Sequence, residues 1–89
     1  MKPPMAVAVL TPGTRAFAAL KWLGTVTGVL GALVLALHIP VSGWGWVLFL
    51  ISSVSWTVAG MALRDMSLVV LQGAFVAVDL LGVWRWLIV

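Results

Sequence analysis

Long apolar runs dominate this chain, and the few polar interruptions between them set its organisation. From Trp22 to Leu63 no residue is formally charged, a run of 42. One bilayer crossing takes roughly 20 apolar residues at about 1.5 Å rise each, so the run holds two crossings and a turn. The turn is legible as His38-Ile39-Pro40-Val41-Ser42-Gly43-Trp44-Gly45. Pro40 has no amide donor and disfavours helix at Ile39, while Gly43 and Gly45 free the backbone. The pattern predicts spans at about 16–39 and about 43–63. Arg64-Asp65 closes the second span. A third, at about 66–86, is interrupted by Asp79 and ends in Trp84-Arg85-Trp86.

Five tryptophans fall where three spans put the membrane interfaces: Trp22, Trp44, Trp46, Trp84 and Trp86. The head-group layer suits an indole, one part of which is apolar while its N–H stays wet. With Arg85 they read as interface anchors. Residues 1–14 hold three prolines and read as an extended or interfacial leader, because Met5–Leu10 is too short for the apolar core of a signal peptide. Residues 15–89 read as one membrane domain.

Composition fixes the surroundings. The chain of 89 residues is 64% hydrophobic with a mean hydropathy of +1.25, and 8% of its residues are charged, against about 25% in an ordinary soluble domain. So few polar groups cannot cover that much apolar surface in water. The fold expected is therefore an all-α membrane protein, with three transmembrane helices in a small bundle. Five basic residues outnumber two acids, an excess that in a membrane chain reads as orientation signal and head-group contact rather than nucleic-acid binding. Lys2, Arg15, Lys21 and Arg64 lie on one side of the expected spans and Arg85 alone on the other. That balance places the N-terminus in the cytoplasm and the C-terminus outside an inner (plasma) membrane.

Within lipid, helices associate by close approach of small residues. Gly24, Gly28 and Gly31 make such a face on the first span, with Thr27 and Ala32 beside them. On the second, Ser52, Ser55, Ala59 and Gly60 share a side, with Ser53 and Thr57 near it. Either face could meet a helix of the same chain or of another.

Asp79 carries the most information about chemistry. It lies about 21 Å along the third helix from Asp65 and about 9 Å inside Arg85, a depth at which a carboxylate must be hydrated, paired or protonated. Gln72 stands two turns away on the same side. One reading is a solute or proton path; the other is a carboxylate bonded to a neighbouring helix to fix its register. Trp56, alone near the middle of a span, reads either as one wall of a pocket or as a large packing residue. His38 reads as an interfacial histidine, a pigment or haem ligand being the alternative. With no Cys or Glu and a single His, no metal-ligand set is in view. The two acids are too far apart to act as a pair, and no phosphate loop or other cofactor motif is present. A non-enzymatic role is expected.

The stretch from Ser52 to Trp86 resembles the second and third helices of SemiSWEET proteins, three-helix half-transporters of the PQ-loop group that dimerise around a sugar pathway. It is also similar to one half of PnuC-type nicotinamide riboside transporters. Ser55-Trp56 followed by Gly60, the Arg64-Asp65 turn, and Gly82-x-Trp84-x-Trp86 carry the resemblance; Pro40 is followed by Val41 rather than by the glutamine that names the group. The resemblance implies a dimer, Trp56 as a pocket tryptophan, Gln72 at a solute-binding position, and Asp79 two turns beyond. The function expected is passage of a small polar solute as a dimer. The alternative is an accessory subunit docked in a larger membrane complex, for example a photosynthetic or respiratory one.

Overall fold

The computed structural model describes residues 11–88, which form three helices joined by two tight turns. The leader expected over residues 1–14 falls for the most part outside the described residues. Helix α1 runs Arg15–Leu37, α2 runs Gly45–Leu63 and α3 runs Met66–Val83. A 3₁₀ turn, Ser42–Trp44, leads into α2, and a π-helical turn, Trp84–Ile88, extends α3. With these extensions, all three segments are long and apolar enough to cross a membrane.

Local chemistry explains each boundary. Thr14 caps α1, its hydroxyl accepting from the Phe17 N–H at 3.1 Å. The helix stops at Leu37, two residues short of the expected end, because His38 takes the left-handed conformation (φ 52°, ψ 47°) ahead of Pro40. Ser42 then holds the turn. Its hydroxyl accepts from the Ile39 N–H at 2.7 Å and donates to the Val34 carbonyl at 2.8 Å, satisfying two backbone groups that the helix end leaves open. Arg64 ends α2 in the same left-handed conformation, with the Asp65 N–H returning to the Gly60 carbonyl. Asp65 caps α3, accepting from the Leu68 N–H and the Ser67 hydroxyl.

Helix α2 is central: α1 and α3 each pack against it and hardly touch one another. The α1–α2 seam is the glycine face. A side chain at Gly24 would collide with the Trp56 indole, one at Gly28 with the Ser52 hydroxyl, and one at Gly31 with the Gly45 carbonyl. Ser52 ties the seam by donating to the Gly24 carbonyl at 2.7 Å, and buried Ser55 lies against Gly24 as well. The question of which helix meets the glycine face is thus answered within the chain. Gly60 serves the other seam, against Leu68 and Val69 of α3.

Burial runs opposite to that of a water-soluble domain. Among the described residues, Phe17 and Ala59 are the buried apolar side chains, whereas Thr27, Ser42, Ser53, Ser55 and Asp79 are buried polar ones. Leucines and valines such as Val29, Leu33, Val70 and Leu81 project outward. An apolar exterior over a small, partly polar interior is stable only in an apolar solvent. The chain is a multi-pass membrane protein, an all-α bundle of three helices.

Candidate functional site

Because α1 and α3 stand apart on either side of α2, a cavity of about 380 Å³ lies between the three helices. Helix α2 supplies Trp46, Phe49, Ser52 and Ser53; α3 supplies Gln72, Phe75 and Asp79; α1 contributes the bare backbone at Gly28. The spacing explains the set. Positions 46, 49 and 53 recur at helical period on α2, as 72, 75 and 79 do on α3, so each trio shares one face.

Asp79 is 3% exposed. Its Oδ2 accepts a hydrogen bond of 2.7 Å from the Ser53 hydroxyl, itself buried. Its Oδ1 receives no hydrogen bond from any described residue. Most other hydroxyls are committed to their own helices: Thr25 donates to Lys21, Thr27 to Leu23, Ser55 to Ile51 and Thr57 to Ser53. Of the hydroxyls carried by the three long helices, those of Ser52 and Ser53 donate to another helix, and both residues line the cavity. The Trp46 indole meets Phe49 edge to face at 6.1 Å and lies directly over Gly82, where any side chain would overlap it. Its Nε1 is buried with no hydrogen-bond partner among the described residues, a costly arrangement for an N–H.

The sequence-based site is partly assembled here. Gln72 and Asp79 share the cavity, as their common face requires. Trp56 does not line it; its indole crosses Gly24 in the α1–α2 seam, the packing alternative read from the sequence. Trp46 takes the place of cavity tryptophan, although its position near a span end marks it as an interface anchor. Phe49, Phe75 and Ser53 complete the lining. Trp22, Trp44, Trp84 and Trp86 all project outward. Arg85 lies in the π-helical turn that carries two of them.

Of the lining residues only Asp79 titrates, and among the described residues no group of His, Cys, Asp or Glu comes together that could hold a metal. A carboxylate, an amide and aromatic faces can hold a small molecule and orient it. Outside the spans, the Ser67 hydroxyl and then the Leu68 N–H hold the Asp65 carboxyl below its ordinary range. Comparison with protein-family models, with curated proteins and with solved structures finds no match in any of the three.

Proposed function

We propose that this protein binds a small polar solute inside the bilayer and passes it across, without chemical conversion, as one half of a symmetric pair. The supporting observation is the trough over α2, where Asp79, Gln72, Ser52 and Ser53 gather around one cavity at bilayer depth. Polar side chains facing hydrocarbon are costly and mark solute or ion paths. The gap between α1 and α3 leaves that trough open on one side, and a second copy facing the first closes it. The basic residues put the N-terminus on the cytoplasmic side of an inner (plasma) membrane and the C-terminus outside.

Flux into proteoliposomes is the test, run with a panel of small polar solutes and comparing the parent with Asp79→Ala. Uptake above that of empty vesicles, reduced by the substitution, supports the proposal. Uptake at the empty-vesicle level for every solute refutes it.

A second reading, an accessory subunit of a larger membrane complex, draws on a different surface. Gly73, Ala74 and Ala77 are exposed on α3, and a side chain added at Gly73 would meet nothing within 4 Å. Small residues facing outward in lipid let another helix approach closely. Purification in mild detergent decides between the readings: recurrent stoichiometric partners favour the subunit, and a homodimer alone favours the transporter.

A further inference from the structure

We infer that the solute held in the trough is a small organic cation, a protonated or quaternary amine, with Asp79 as its counter-ion. The inference rests on the solute-binding reading above and narrows it to one chemical class.

The charge of the site points to a cation. Asp79 is buried at bilayer depth, with one hydroxyl donor to Oδ2 and none to Oδ1 among the described residues, and where it is ionised there it calls for a positive partner. The described part of the chain does not supply one. Helix α2 carries no charged residue between Gly45 and Leu63. On α3 and its extension the nearest cation is Arg85, about 9 Å further along the axis. On α1, Lys21 stands 5.6 Å over the Phe17 ring, and Arg15 lies at the helix start. His38 is in the turn beyond α1.

The cavity wall suits the same ligand. Trp46, Phe49 and Phe75 line the same cavity as the carboxylate. The negative face of an aromatic ring attracts a cation within about 6 Å, more strongly where water is excluded. A carboxylate backed by aromatic rings is therefore matched to an ammonium group.

The site is poorly equipped for a neutral polyol. A sugar or other polyol needs a hydrogen-bond partner for each hydroxyl it buries. Here the Ser52 and Ser53 protons are already given to the Gly24 carbonyl and to Asp79, leaving Gln72, Asp79 Oδ1 and the Trp46 N–H as the polar groups of the lining residues with no partner among the described residues. A polyol would strand most of its hydroxyls. A trimethylammonium group asks for none.

The test is equilibrium binding of radiolabelled choline, and separately of radiolabelled glucose, to the full chain in lipid nanodiscs, with three unlabelled competitors against choline: tetramethylammonium, glucose, and 3,3-dimethylbutan-1-ol, the uncharged carbon isostere of choline. Saturable choline binding is expected, displaced by tetramethylammonium and at least about tenfold less well by the neutral isostere, a gap of about 1.4 kcal/mol. Asp79→Asn should weaken choline about tenfold or more, and Phe75→Ala should weaken it to a smaller degree. The comparison of charged and uncharged ligands needs no variant, so it stands even if Asp79→Asn fails to fold. Equal displacement by the isostere overturns the inference, as does direct binding of labelled glucose with none of choline; both outcomes leave the solute-binding reading intact. Binding of neither labelled ligand overturns the cation inference, while flux of another solute in the proteoliposome panel would still support the broader reading.

Discussion

The Ser53–Asp79 hydrogen bond makes the sharpest thermodynamic forecast. Removing the hydroxyl by Ser53→Ala leaves both carboxylate oxygens without a donor in a site only 3% exposed. A buried group that loses its partner costs about 1–3 kcal/mol, whereas removing both partners is close to neutral. Ser53→Ala should therefore destabilise the bundle by about 1–3 kcal/mol, and Ser53→Ala combined with Asp79→Ala should recover most of that loss. The size of the coupling carries further information. Hydrogen bonds between membrane helices average about 0.6 kcal/mol in double-mutant cycles, while bonds to charged groups reach about 1.5–3 kcal/mol. An ionised Asp79 predicts a coupling in the upper range and a protonated one a coupling near the lower. Reversible unfolding in mixed micelles, followed by far-ultraviolet circular dichroism on the parent, both single variants and the double, measures the cycle. Additivity within about 0.3–0.5 kcal/mol, with the double variant no more stable than Ser53→Ala, would refute the contact and the depth assigned to it.

Other positions give independent checks. Gly82→Ala forces a methyl group into the Trp46 indole and should cost about 1–3 kcal/mol in the same unfolding assay, with partial recovery in combination with Trp46→Leu. Gly73→Ala meets open space and should leave chain stability unchanged or raise it by about 0.5–1 kcal/mol, through helix propensity alone. At the start of α3, Asp65→Ala should speed amide exchange at Leu68 and Val69, and Asp65→Asn, which still caps, should not. Because the folded Asp65 carboxyl titrates below its ordinary value, the charged cap contributes fully above about pH 4. That contribution is lost as the pH falls through the depressed folded value, so protection of those amides, taken relative to the intrinsic exchange rate at each pH, should fall in acid in the parent and not in Asp65→Asn.

What could be read from the sequence follows the range of the physics involved. Span number, the turn at Pro40 and the Arg64-Asp65 break depend on local composition and backbone chemistry, and they correspond to the helices observed. Glycine spacing on α1 is local too, and it marks a face that packs. Which helix meets that face is not local, and neither is the fate of each indole. Trp46 lies one residue inside α2, where belts of interfacial indoles form, but it turns inward because Gly82, thirty-six positions away, leaves a flat seat for the ring. Trp56 lies mid-span, where a pocket wall is expected, yet Gly24 offers it the closer approach in the α1–α2 seam. Asp79 and Gln72 were identifiable because a polar side chain deep in a span is conspicuous from composition alone. Ser53 was not, since nothing in its immediate neighbourhood separates it from Ser52 or Ser55. The α2–α3 pairing made the choice.

The central place of α2 has a bearing on how the chain is built during synthesis. Every extensive interface joins helices that are neighbours along the polypeptide, through connections of a few residues, so ring closures are short and inexpensive in entropy. The first hairpin can zip its glycine seam while the last segment is still inside the ribosome. The final helix then lands on a surface already in place, and Asp79 enters hydrocarbon with its serine waiting for it.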